Sequence, residues 1–259
     1  QFGNPKPRVF RLEDDLAMIN RLGFNNDGIN IIKKRIKEEK NKGILGVNIG
    51  PNKNTQDQKK DFCLGLESFL DICDYITINI SSPNTEGLRD FHNQEKLIDL
   101  LVDLNKIKKK NKINIPLLLK VSPDIKDAHI SEIASIAIEN NISALVLTNT
   151  TNKNRENLIN SSKKEEGGLS GVPLQQASTD MIKKFYKELE GKIPIIGVGG
   201  INSGKSAYQK IIAGASLLQL YTGFIYKGPS LVKDIKKELV EILKLEGIEN
   251  ISDAVGKSV

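Results

Sequence analysis

The stretch Ile76–Asp90 reads ITINISSPNTEGLRD. Its apolar run, Tyr75–Ile80, stops in a cluster of small uncharged polar groups: Asn79, Ser81, Ser82, Asn84 and Thr85. Other apolar runs stop the same way. ILGVNI (residues 44–49) contains Asn48, PLLLKV (116–121) carries Lys120, and ALVLT (144–148) runs into Thr148, Asn149 and Thr150. PIIGV (194–198) meets Gly199 and Gly200, and LLQL (217–220) meets Tyr221, Thr222 and Gly223. Amides and hydroxyls donate and accept without carrying charge, so this set suits a flat heterocycle with amide edges, such as a pyrimidine or an isoalloxazine. Lys120 is the one fixed cation. Inside an apolar strand its charge is costly unless it meets an anion or an electron-rich ring. By residue type alone Ser82 reads as a turn serine ahead of Pro83, with no histidine close to it in sequence.

The GVGG turn (197–200) offers backbone N–H groups at what reads as a helix start, and glycine lets an anion approach closely. With the QLYTG turn after the next strand it points to a phosphate. Gly199, Gly204, Lys205 and Ser206 nearly fit a nucleotide-binding P-loop, but the motif falls late in the chain with no partner motif, and a phosphate-binding turn explains the same residues.

The elements that must hold these groups alternate. Helical stretches are expected near 27–40, 55–72, 93–110, 127–140, 174–190, 203–213 and 230–245, each after the first preceded by one of the apolar runs. Nearly all-apolar runs mark parallel strands covered on both faces, and the βα order gives an α/β fold. Six βα units are visible where a (β/α)8 TIM barrel needs eight. An N-terminally incomplete barrel, a single domain over 1–259, is therefore expected, with the first two strands missing. The alternative is an open doubly wound sheet. Polar residues at nearly every strand end and glycine turns after the last two favour the barrel.

Composition agrees with a globular chain: 259 residues, 39% hydrophobic and 27% charged. The net charge of +6 is spread among acidic residues, so no nucleic-acid partner is expected, and Lys108–Lys110 reads as a solvated helix end. Cys63 and Cys73 lack metal spacing and read as buried small hydrophobes on one helix. His92 and His129 fall in polar segments, which leaves little material for a metal site or a Ser-His-Asp triad, and no metal is expected. No apolar run is long enough to span a membrane. The opening QFGNPKPRVFRLEDD reads as a loop.

NISSPNTEGLR, LLLKVSPD, LVLTNTT, GGLSGVPL, PIIGVGGI and GASLLQLYTG occur in this order, and together they resemble dihydroorotate dehydrogenase over essentially the whole chain. The resemblance implies a flavin-dependent barrel that oxidises dihydroorotate to orotate in pyrimidine synthesis, with FMN as cofactor. A serine at the base position, together with RVFRLEDD and INRLGFNNDG, resembles class 2 of the family, whose electron acceptor is a membrane quinone. It implies Ser82 as the base, with Thr85 and Phe24 organising the proton's exit. Asn20, Asn79, Asn84, Asn149 and Thr150 would hold the substrate. Asn48, Asn79, Lys120 and Thr148 would contact the flavin, while Ser170, Gly171, Gly199, Gly200, Tyr221 and Thr222 would bind its ribityl phosphate. Arg11 would line the quinone site. A monomer is expected, peripheral on the cytoplasmic face of a bacterial inner membrane, with the mitochondrial inner membrane as the alternative. Class 2 enzymes also carry an N-terminal helical segment that docks on the membrane and a lysine near the first barrel strand. Neither is matched here, so about 80–100 further N-terminal residues are expected from the missing βα units and helical cap. The rival readings are another FMN barrel, such as a tRNA-dihydrouridine synthase, and a truncated barrel that binds flavin without catalysis.

Overall fold

A computed structural model describes residues 1–39 and 43–259. The chain begins with a hairpin, β1 (Val9–Leu12) and β2 (Ala17–Asn20), followed by α1 (Ile29–Glu38). Strands and helices then alternate: β3 (Gly46–Ile49), α2 (Gln58–Phe69), β4 (Tyr75–Asn79), α3 (Gln94–Asn111), β5 (Leu117–Val121), α4 (Ile130–Glu139) and β6 (Ala144–Leu147). A long loop leads to β7 (Gly168–Gly171). After it come α5 (Gln175–Leu189), β8 (Ile195–Val198), α6 (Gly204–Ile212), β9 (Ala215–Gln219), α7 (Thr222–Lys227) and α8 (Leu231–Leu245).

Six strands form one parallel sheet in the order β3-β4-β5-β6-β8-β9. Each strand pairs with the next sheet strand in sequence, and the order never reverses. A doubly wound sheet needs such a reversal, so the arrangement is that of the TIM-barrel-like class, with β3 and β9 at the edges. The outer face of this sheet carries Ile76, Ile78, Leu119, Val121, Leu145 and Ile195. These pack under the helices with Leu97, Leu101, Ile133, Ile182 and Phe185 in the main core. The inner face has a small apolar floor of Leu118, Ala144, Val146 and Ile196. Cover on both faces explains why β4, β5 and β6 read as unbroken apolar runs. At the β9 edge the cover fails, and Leu217 is 60% exposed.

The helices begin and end where local chemistry dictates. The Asp57 side chain accepts the Lys60 N–H at the start of α2, and that of Asn93 accepts the N–H groups of Glu95 and Lys96 at the start of α3. Lys108, Lys109 and Lys110 occupy the last turn of α3, where cations complement the helix dipole, as the solvated-end reading requires. Among the described residues no helix is long and apolar enough to cross a membrane.

Several sequence expectations need correction. The opening segment contains a strand. β1 and β2 pair antiparallel, and β2 pairs with β7, which makes a second, three-stranded sheet beside the parallel one. β7 is the GGLSG stretch, which reads as loop because glycine is a poor strand former. The glycine is needed for close approach, since a Cβ on Gly168 would lie 2.0 Å from Thr150 Oγ1. The helix expected over 27–40 spans Ile29–Glu38, and Lys40 lies outside the described residues. α2 ends at Phe69, so Cys73 is not on the helix with Cys63, and both thiols are half-buried rather than buried. Burial raises both thiol pKa values, that of Cys73 to about 11.

Candidate active site

Strand register brings the candidate residues onto one surface. In a parallel sheet, register partners point to the same face, and side chains alternate along each strand. Asn48 is opposite Thr77, Asn79 opposite Lys120, and Lys120 opposite Val146, all on the inner face. The strand ends then feed the loops that carry Ser81–Thr85 and Thr148–Thr151.

Two amide pairs organise the rim. Asn149 Nδ2 donates to Asn79 Oδ1 at 3.1 Å and to Ser81 Oγ at 2.9 Å, joining the ends of β4 and β6. Ser81 Oγ also donates to Asn79 Oδ1 at 3.1 Å, and the Thr150 N–H donates to Asn149 Oδ1 at 2.8 Å. On the other side, Asn84 Nδ2 donates to the Asn20 carbonyl at 3.1 Å and to Asn20 Oδ1 at 3.3 Å, tying the Ser82 loop to the end of β2. Ser82 is buried, and the Asn84 N–H donates to its Oγ at 3.2 Å. The turn expected from residue type is therefore present. It also points an N–H at the serine oxygen, which favours a developing negative charge there. Thr85 Oγ1 is buried with no hydrogen-bond partner among the described residues.

Lys120 has no hydrogen bond or ion pair among the described residues, and burial lowers its pKa. β5 lies inside the sheet, so Lys120 is not on an edge strand, and its side chain is half-buried on the inner face.

A second group of donors lies at the ends of β7 and β8 and the start of α7. Thr222 Oγ1 donates to Ser170 Oγ at 2.8 Å, which links α7 to β7 beside Gly171. The backbone N–H groups of Gly199, Gly200 and Thr222 donate no hydrogen bond among the described residues. The helix-start reading of GVGG is corrected here. α6 begins at Gly204, and its first turn is closed by the Ser203–Ser206 capping box and by Glu238. The glycine turn, not the helix terminus, presents the free N–H groups. Tyr221 caps α7 and is 66% exposed.

Not every expected residue joins this cluster. Phe24 and Asn48 share a cavity of about 780 Å³ at the β3 edge with Gly50 and Leu64, and Asn48 is exposed. The Phe24 ring rests against Gly50. Arg11 is exposed on β1, opposite Met18. Thr148 is buried at the end of β6, its Oγ1 donating to the Asn149 carbonyl at 3.0 Å. His92 is half-buried, with its Nε2 inaccessible and unpartnered among the described residues. Burial, with Arg89 adding to it, lowers its pKa to about 4.

Sequence reasoning gave Ser81 no role and missed Arg89, Asp124 and Thr151. Arg89 Nη1 donates to Asp124 Oδ2 at 3.1 Å, and Asp124 accepts from Thr151 Oγ1 through its other oxygen. The available signal was the charged pair itself: Arg89 lies inside NISSPNTEGLR and Asp124 inside LLLKVSPD, each beside apolar residues.

These features define a TIM-barrel-like α/β protein that gathers amides, hydroxyls and one lysine at its strand ends. The dihydroorotate dehydrogenase family model matches residues 1–243. The chain belongs to this family. It is 45% identical over 258 residues to the dihydroorotate dehydrogenase (quinone) of Bartonella tribocorum, covering 98% of this chain and 71% of that protein. It is 40% identical to the mitochondrial dihydroorotate dehydrogenase (quinone) of Arabidopsis thaliana, covering 99% of this chain and 62% of that protein. Among solved structures, a DHODH from Eimeria tenella in complex with ferulenol superimposes with a TM-score of 0.95 at 37% identity, covering 100% of this chain and 76% of the other.

Proposed function

We propose that this chain oxidises dihydroorotate to orotate with FMN and passes the electrons to a quinone, in pyrimidine biosynthesis. The observation that carries the reading is the single rim where Ser82, the Asn79–Asn149 and Asn20–Asn84 amide pairs and Lys120 meet, in a chain of this family.

The residues present fit the cofactor. The lone amine of Lys120, the free N–H groups of Gly199, Gly200 and Thr222, and the Ser170–Thr222 hydroxyl pair are a donor set suited to an isoalloxazine edge and a phosphate. When bound, FMN supplies the acceptor for the hydride that leaves C6 of the substrate. The amides of Asn79, Asn84 and Asn149 would exchange their mutual hydrogen bonds for the imide edge of the substrate and hold its ring flat. Ser82 Oγ would take the C5 proton as the ring double bond forms. An alcohol is a weak base, so the step needs support. Ser82 would therefore release its own hydroxyl proton toward the unpartnered Thr85 hydroxyl as Oγ takes the C5 proton, so no net charge builds on it, while the Asn84 N–H holds Oγ in place and favours the alkoxide character that step needs.

The same reading includes a monomeric chain, a membrane quinone reached past Arg11, and peripheral contact with a bacterial inner membrane. Its support is the word quinone in the names of the bacterial and plant relatives. A tRNA-dihydrouridine synthase is disfavoured by the family match. The test is optical. The purified chain loaded with FMN should lose its yellow colour on adding dihydroorotate without oxygen, and recover it on adding a soluble quinone analogue. A chain that binds FMN but is not bleached would be the non-catalytic barrel instead.

A further inference from the structure

Arg89 sits in a short helical turn, Leu88–His92, whose apolar residues anchor it. Leu88 is fully buried, and the Phe91 ring meets Phe62 edge to face at 5.6 Å. From this anchor the guanidinium reaches three separate loops. Nε donates to the Ser81 carbonyl at 3.3 Å, Nη1 to Asp124 Oδ2 at 3.1 Å and Nη2 to the Thr150 carbonyl at 3.3 Å. Asp124 completes the unit. One oxygen accepts from Thr151 Oγ1, and the other accepts both the Arg89 donor and the Asn152 N–H at 3.1 Å. Thr151 exchanges backbone hydrogen bonds with Leu169 on β7. The Asp124 side chain is only 10% exposed.

The carbonyls that Arg89 grips belong to the residue before Ser82 and the residue after Asn149. One planar fork therefore spans the loop that carries the proposed base and the turn that carries a substrate amide. A surface ion pair would do little here. A guanidinium with its donors spread over three loops fixes their spacing, because its fork is rigid.

We propose that Arg89, braced by Asp124, is a positioning residue that sets Ser82 against the ring held by Asn79 and Asn149. The proposal rests on the dehydrogenase reading above. It requires that the Arg89 effect run through Ser82.

The test uses the FMN-loaded chain and stopped-flow bleaching by dihydroorotate. Arg89→Met should slow flavin reduction at least ~10-fold, since small displacements of a catalytic group carry penalties of this order or more. FMN content and reoxidation by a quinone analogue should stay unchanged. Arg89→Lys should not rescue, because one ammonium cannot span three acceptors. Asp124→Asn keeps the shape and should slow reduction in the same direction, which covers the case of an Arg89→Met protein that does not fold. The deciding measurement is the double variant. Arg89→Met added to Ser82→Ala should cost almost nothing further. Wild-type reduction by Arg89→Met or Asp124→Asn, or losses that multiply in the double variant, would overturn the proposal. Failure of the unaltered chain to bleach is a separate result: it removes the dehydrogenase reading, and this role with it.

Discussion

Asn79 and Lys120 are register partners on adjacent parallel strands, so an amide and a half-buried lysine stand side by side on the inner face of the sheet. The amide is engaged by Ser81 and Asn149, whereas the amine has no partner among the described residues. A partly desolvated, unpaired amine costs stability, and proteins retain such costs where function needs them.

Lys120→Met should separate the two effects. The flavin-free chain should gain stability, on the order of 1 kcal/mol, because a partly desolvated cation gives way to an apolar chain of similar reach. FMN affinity should fall at least ~10-fold through loss of a charged hydrogen-bond donor. Denaturant melts and flavin-fluorescence titration check both. A variant that loses stability and keeps its FMN affinity would remove Lys120 from the site.

Ser82→Ala should leave FMN bound and slow its reduction by dihydroorotate at least ~100-fold, the scale for losing a general base. Ser82→Cys should retain part of the activity, with its pH profile moved toward the thiol range. Unchanged reduction in the Ala variant would end the role of Ser82.

Gly200→Ala tests the phosphate turn. Gly200 has φ +72°, and an added Cβ would lie 2.6 Å from Gln175 Cα, so the turn must shift. Gly191 has nearly the same φ, +74°, but open space around it. Gly191→Ala should therefore show only the backbone penalty, about 1 kcal/mol, with FMN affinity unchanged. Gly200→Ala should lose more stability and FMN affinity together. Equal behaviour of the two variants would argue against the phosphate turn.

Lys210 gives a pH prediction. It is fully buried between α5 and α6, and Nζ donates to the Gln175 carbonyl and to Thr179 Oγ1, both at 2.7 Å. A neutral amine can make both bonds. Burial lowers its pKa from 10.5 to about 7, against a smaller upward pull from Asp180. Between about pH 7 and 10.5 the unfolded chain therefore binds the proton that the folded chain has released, and the contribution of this group to stability rises with pH. Lys210→Met lacks that slope. The stability difference between the two proteins should shift in favour of the unaltered chain as pH goes from 7 to 9.5. A constant difference over that range would show that the folded amine is not depressed.

Much of the fold was legible because the relevant signals are local. Unbroken apolar runs such as LLL before Lys120, and the helical stretches between runs, marked six βα units, and the sheet contains six parallel strands. Glycine hid β7, whose strand character comes from pairing with β2 across some 150 residues rather than from its own propensity. The desolvation of His92 was hidden as well, since the polar residues that follow it in sequence gave no sign of the packing around its ring.

The sequence by itself determined which chemical groups stand at the strand ends, because the end of an apolar run is a local property. It also determined the family, through ordered motifs. Only the tertiary structure decided that Asn79 bonds Asn149, that Lys120 faces inward with no partner among the described residues, and that Arg89 grips the carbonyls of Ser81 and Thr150. These relationships join segments about 60–70 residues apart, or backbone atoms that every residue possesses. No spacing or residue type encodes them. They follow from the register of the parallel strands, which the hydrophobic core sets as a whole.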